Sequence, residues 1–158
     1  MDVQGEQRAG GNRFAVVVSR FNSEITEGLL AGALGALEEA GVEKAAHTVV
    51  WVPGAFELPL TVQRLAESGD YDAIVCLGCL IKGDTMHFEY IAESVAHGLA
   101  QVALQAGIPI ALGVLTTLTE AQAVERAAPG PGNKGAEAAR AAVEMASLFR
   151  RLDQEPNP

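Results

Sequence analysis

Between Leu80 and Tyr90 the chain reads LIKGDTMHFEY, where an apolar run gives way within a few residues to a lysine, two acids, a threonine and a histidine. Gly83 permits a tight turn, and Asp84 or Thr85 can cap a helix beginning just after it. The free N–H groups in the first turn of such a helix form a site for an anion such as phosphate. His87 then stands at the positive end of the helix dipole, which disfavours the imidazolium and keeps a neutral ring that can accept and return a proton. The bland alternative is a helix-start histidine with a structural hydrogen bond, and the sequence leaves both open.

Three other stretches carry comparable chemistry: SRFN from Ser19, PGAFELP from Pro53 and TTLTEAQ from Thr116. Phe21, flanked by Arg20 and Asn22, suits stacking on a flat ring; a hydrophobic staple of the next helix is its other reading. Glu57 follows a Pro-Gly turn and could accept hydrogen bonds from a polyhydroxylated ligand, or simply complement a helix dipole. Arg126 and Lys134 flank the segment APGPG and could together hold a phosphate, although either alone reads as a solvated charge. GPGNKG at Gly130 to Gly135 matches G-x-G-x-x-G in letters, but it follows a helical stretch where a dinucleotide site requires a strand. His47 and His97 fall at a strand start and on a polar helix face. No nucleophile triad and no run of metal ligands is evident, which leaves proton transfer, anion binding and ring stacking as the available tools.

These stretches need elements to position them. Short apolar runs alternate with amphipathic ones: RFAVVV, a helix near Ile25 to Ala40, HTVVWV, a helix near Leu58 to Glu67, AIVCLGCL, a helix from about Phe88 to Ala106, PIALGVL, a helix near Glu120 to Ala127 and a last one from about Lys134 to Leu152. Alternation of this kind, with strands apolar throughout, predicts a parallel sheet of at least four strands covered by helices on both faces. Ligands of such sheets gather at the carboxyl ends of the strands, so the four polar turns are expected to converge along one edge. Thr119 with Gln122 forms a capping-box pattern, and Asn133 is a plausible cap for the last helix. That helix is apolar nearly all round, which implies contact with another subunit.

Composition narrows the function classes. The 158 residues suit one domain, and 49% apolar content is ample for its core. A formal charge of −9 without a basic cluster argues against nucleic acid as a partner. The longest apolar run, AIVCLGCLI, is too short to cross a bilayer, and MDVQGEQRAGGNR at the start lacks the apolar stretch of a signal peptide; a cytoplasmic location is expected. Cys76 and Cys79 have C-x-x-C spacing, yet in a strand their Cα atoms would stand roughly 10 Å apart, beyond the about 7 Å a disulfide allows. They read as core residues. Charged residues make up only 20%, which favours an oligomer.

Taken together, these stretches resemble the lumazine synthase family. The resemblance runs from Arg13 to Phe149 through SRFNSEITEGLL, VPGAFELPL, CLGCLIKGDTMHFEYI, PIALGVLTTLTEAQAVERA and GNKGAEAA, in the family's order and spacing. It implies a three-layer α/β/α sandwich of flavodoxin-like type and a transferase of riboflavin biosynthesis. That enzyme, without cofactor or metal, condenses 5-amino-6-(D-ribitylamino)uracil with 3,4-dihydroxy-2-butanone 4-phosphate to 6,7-dimethyl-8-ribityllumazine. By position Phe21 would stack on the pyrimidine, Ala55, Phe56 and Glu57 would hold the ribityl chain, and the backbone of Cys79, Leu80 and Ile81 would bond the uracil edge. Asp84 and Thr85 would take the phosphate at the helix start, with Arg126 as its clamp and Lys134 assisting, while His87 would transfer protons. Leu112 stands where many members carry a phenylalanine contributed by the neighbouring subunit; leucine keeps the wall apolar but cannot stack.

The resemblance also implies a homopentamer, an icosahedral shell of pentamers in many members, and riboflavin synthase as a candidate partner. The short APGPG break, without an insertion, favours the shell. A flavin-binding carrier and a shell-forming protein without condensation activity would share the fold and stay open as alternatives. Residues 1–12 are expected to be a flexible segment, 13–152 the domain and 153–158 a loose tail.

Overall fold

A computed structural model of the chain describes residues 1–154. It runs β1 (Phe14–Ser19), α1 (Ser23–Glu39), β2 (His47–Val52), α2 (Leu58–Glu67), β3 (Ala73–Ile81), α3 (His87–Ala106), β4 (Ile110–Thr117), α4 (Glu120–Ala127) and α5 (Lys134–Gln154), with 3-10 turns at Lys44–Ala46 and Ala55–Glu57. The strands form one parallel sheet in the order β2-β1-β3-β4. Helices α1, α4 and α5 pack on one face, α2 and α3 on the other, giving the expected three-layer α/β sandwich.

The central strands explain their own sequence. Every residue of β1 is buried, as is β3 from Ala73 through Cys79, because each meets helices on both sides. Edge strand β4 alternates instead and leaves Leu112 57% exposed. Cys76 joins the core under α2 and α3, Cys79 the core under α1, α4 and α5, so the two thiols point to opposite faces of the sheet. Burial pushes the Cys79 thiol up to about 11 and that of Cys76 further still.

Helix boundaries follow local chemistry. Thr119 Oγ1 accepts from the Gln122 N–H at 3.2 Å while Gln122 Oε1 accepts from the Thr119 N–H at 3.3 Å, a complete capping box for α4. Gly107 ends α3 in the left-handed conformation (φ 69°) that glycine adopts without strain. Buried Asn133 caps α5, its Oδ1 accepting from the Ala136 N–H at 3.0 Å, while its Nδ2 donates to the carbonyls of Gly28, Ala127 and Ala128. One side chain thus joins the α4–α5 break to α1. Helices α1 and α5 are so close that a Cβ on Gly135 would overlap the Leu29 carbonyl.

Some expectations need correcting. Neither Asp84 nor Thr85 is the N-cap of α3; that position falls to Met86, without a side-chain cap, and Thr85 Oγ1 accepts only a long bond from the His87 N–H at 3.4 Å. Helix α5 continues through Asp153 and Gln154, which were expected in the tail, and 155–158 lie outside the described residues. Residues 1–12 also make contacts that the sequence did not announce: Glu6 N–H donates to Ser147 Oγ, Ala9 N–H to the Ala40 carbonyl, and Arg151 to the Gln4 carbonyl. No helix among the described residues is long and apolar enough to cross a membrane.

Candidate functional site

Parallel strands bring the turns that follow them side by side. After β1 the Arg20 N–H donates to the Val52 carbonyl at 2.8 Å and the Phe21 N–H to the Pro53 carbonyl at 3.1 Å, so the turn leans towards β2. Asn22 follows with left-handed backbone (φ 58°, ψ 50°), and its Nδ2 donates across the sheet to the Cys79 carbonyl at 3.0 Å. Between these anchors Phe21 is 63% exposed, which removes the hydrophobic-staple reading, since a staple would be covered by the helix it pins.

After β2 the Pro53-Gly54 corner leads into the 3-10 turn that carries Ala55, Phe56 and Glu57. Ala55 is buried and anchors the turn, while Phe56 is 60% exposed. Glu57 folds back so closely that a Cβ on Gly54 would stand 3.1 Å from its Oε2. After β3 the chain crosses Lys82, whose Nζ lies 3.5 Å from Glu89 Oε1, and reaches His87 at the first position of α3.

These three turns surround one cleft of about 320 Å³. Phe21 comes to it from β1; Ala55, Phe56 and Glu57 come from the turn after β2; Leu80, Ile81, Thr85 and His87 come from β3 and the start of α3. Asp84 is exposed and does not line the cleft. Cys79 lies in the core beneath, and its carbonyl already accepts from Asn22. His47 and His97 touch neither this cleft nor the cavity described next.

The fourth turn lies beside the third, the Lys82 N–H donating to the Thr117 carbonyl at 2.9 Å, but its residues do not line this cleft. Leu112, Arg126 and Lys134 line a separate hollow of about 310 Å³ formed by β4, α4 and α5. Its two cations have only local partners: Arg126 Nη1 donates to the Gln122 carbonyl at 3.1 Å, and Lys134 Nζ lies 2.9 Å from Glu137 Oε2 in a pair largely open to water. The cause is topological. Helix α3, which carries His87, covers one face of the sheet, and α4 and α5 cover the other.

The chemistry divides with the geometry. The first cleft offers aromatic surface, a carboxylate and an imidazole at a helix start, but no Lys or Arg among its lining residues. The second offers two cations and no histidine. One can stack a ring and move protons; the other can neutralise a phosphate. Among the described residues no cluster of His, Cys, Asp and Glu could hold a metal ion. GPGNKG lies in the α4–α5 break rather than after a strand, and so offers no dinucleotide loop. Asn22 escaped the sequence reading, although an Asn just past a strand end, in a turn that must reverse direction, is the residue type that tolerates a left-handed backbone.

The sequence model of the 6,7-dimethyl-8-ribityllumazine synthase family matches residues 11–150 of the 158. That span contains both cavities' candidate residues, from Phe21 to Lys134. The chain therefore belongs to the 6,7-dimethyl-8-ribityllumazine synthase family, transferases of riboflavin biosynthesis.

Proposed function

We propose that this chain condenses 5-amino-6-(D-ribitylamino)uracil with 3,4-dihydroxy-2-butanone 4-phosphate, releasing phosphate and two waters, to form 6,7-dimethyl-8-ribityllumazine. The observation that carries the reading is the division of labour between the two cavities. A cleft with Phe21 and His87 but no lining cation complements a hollow with Arg126 and Lys134 but no histidine, so two neighbouring copies would together supply a whole site.

Phe21 stacks on the pyrimidine, while Ala55, Phe56 and Glu57 hold the ribityl chain, whose hydroxyls donate to the carboxylate. The backbone of Leu80 and Ile81 bonds the uracil edge, with Cys79 acting from below. Thr85 and the start of α3 receive the phosphate, Asp84 flanks it, and Arg126 of a neighbouring copy clamps it with help from Lys134. Leu112 of that copy closes the far wall. The 5-amino group attacks the ketone and water leaves to give an imine; phosphate is then eliminated, and attack by the ribityl-bearing nitrogen closes the ring with loss of the second water. His87 accepts and returns the protons. Holding both reactants in one place supplies much of the acceleration, and the chemistry calls on no cofactor or metal.

Self-association is part of the reading. Leu104, 86% exposed, stands with Met145 and Phe149 around an apolar hollow of about 390 Å³ beside the free edge of β4. Apolar surface of this kind beside an open strand edge supports burial against another copy. A pentamer, a shell favoured by the short α4–α5 break, a cytoplasmic location and riboflavin synthase as a partner belong to the same proposal. The test is to mix the purified protein with both substrates. Lumazine absorbance rising in step with released phosphate is expected, and no lumazine from the folded protein overturns the reading. Stoichiometric bound flavin with redox turnover, in place of lumazine, identifies a carrier.

A further inference from the structure

The β1–β3 ladder ends at Val18 and Leu77. Beyond it, the N–H groups of Arg20 and Phe21 both turn towards β2, donating to Val52 and Pro53. The sheet thus opens between β1 and β3, where the strand order reverses and where the cleft lies. The Asn22 amide crosses that opening and donates to the Cys79 carbonyl at 3.0 Å.

Asn22 does this at the expense of its usual task. It is the N-cap residue of α1, a position where an Asn side chain ordinarily accepts from a first-turn N–H, yet it makes no such bond. It is also the sole non-glycine residue with positive φ among the described residues. Places where local rules fail beside a cleft are where functional or strained residues are expected. We infer that Asn22 is a positioning residue for Phe21: its left-handed backbone and its amide bridge to β3, with the Phe21 N–H bonded to Pro53, stretch the aromatic residue between both walls of the crevice and fix its ring over the cleft.

The kinetic part of the test rests on the condensation reading above; the structural part does not. Asn22→Gly keeps the left-handed backbone without strain and deletes only the bridge. In the full-length protein it is expected to raise the KM for the pyrimidine substrate roughly tenfold, leaving the KM for the butanone phosphate unchanged. Asn22→Asp keeps the side chain's shape but cannot donate, and is expected to behave alike. A lower melting temperature with both KM values at wild type means a merely structural role and overturns the inference. In a Phe21→Ala background Asn22→Gly is expected to have no further effect on KM, because it acts through the ring; additive effects show direct substrate contact and also overturn it. Crystal structures of the wild type and Asn22→Gly distinguish failure of this inference from failure of the activity. The ring is expected to move or lose order in the variant even if no lumazine is made, and an unmoved Phe21 overturns the inference.

Discussion

His87 and Arg126 line different cavities of the same chain, one on the α3 side of the sheet and the other on the α4–α5 side. The proposed proton-transfer group and the proposed phosphate clamp are thus held apart by the sheet that organises them. Both positions follow from a parallel sheet that carries α2 and α3 on one face and α1, α4 and α5 on the other.

Replacing His87 by Ala is expected to lower kcat about a hundredfold without abolishing turnover, since proton transfer is lost while positioning of the reactants remains. The side chain is exposed, so thermal stability should not change. Initial rates of lumazine formation measure the effect, and wild-type turnover would remove His87 from the mechanism.

Replacing Arg126 by Gln should raise the KM for the butanone phosphate roughly tenfold through loss of a charge-assisted contact. The KM for the pyrimidine should stay put. Steady-state kinetics with each substrate varied in turn separates the two, and an equal rise in both contradicts the clamp.

Gly135→Ala tests the fold rather than the chemistry. A methyl group there meets the backbone carbonyl of Leu29, which cannot swing aside as a side chain would, and α1 must move away from α5 to admit it. A loss of about 1–3 kcal/mol is expected, read as a lower urea midpoint with an unchanged slope. Wild-type stability would mean that the two helices are not in such close contact.

The cysteines give a pH signature. Burial raises the Cys79 thiol from 9.0 to about 11 and Cys76 further, so the folded state disfavours the thiolate. The stability this contributes is full below pH 9.0, where unfolded thiols are also protonated, and falls as pH rises through 9.0 towards about 11. Native protein at pH 8 is expected to resist a thiolate-directed alkylating agent, while urea-unfolded protein takes up one label on each cysteine. Rapid labelling of the native protein would contradict the burial.

Much of this was legible in the sequence because it is local. Continuous apolar runs marked β1 and β3, Thr119 and Gln122 marked the start of α4, and Asn133 marked that of α5. What the sequence concealed depends on which side of the sheet a residue reaches. Arg126 and Lys134 follow β4 as His87 follows β3, and the sequence alone does not show that their helices lie on opposite faces. The Asn22 bridge joins residues far apart in the chain, and the capping pattern at that position points to a bond the side chain does not make. The contacts of residues 1–12 escaped for a like reason: backbone groups bonding to α1 and α5 leave no periodicity to read.

The most direct test of a site assembled from two copies is complementation between two impaired chains. His87→Ala and Arg126→Gln chains, co-expressed in equal amounts, purified as mixed assemblies and assayed with butanone phosphate well below its KM, where both parents are impaired, should regain about a quarter of wild-type lumazine-forming activity, because random neighbours make that fraction of sites intact. Activity equal to the mean of the two parents would show that each chain carries its whole site, and would contradict the account.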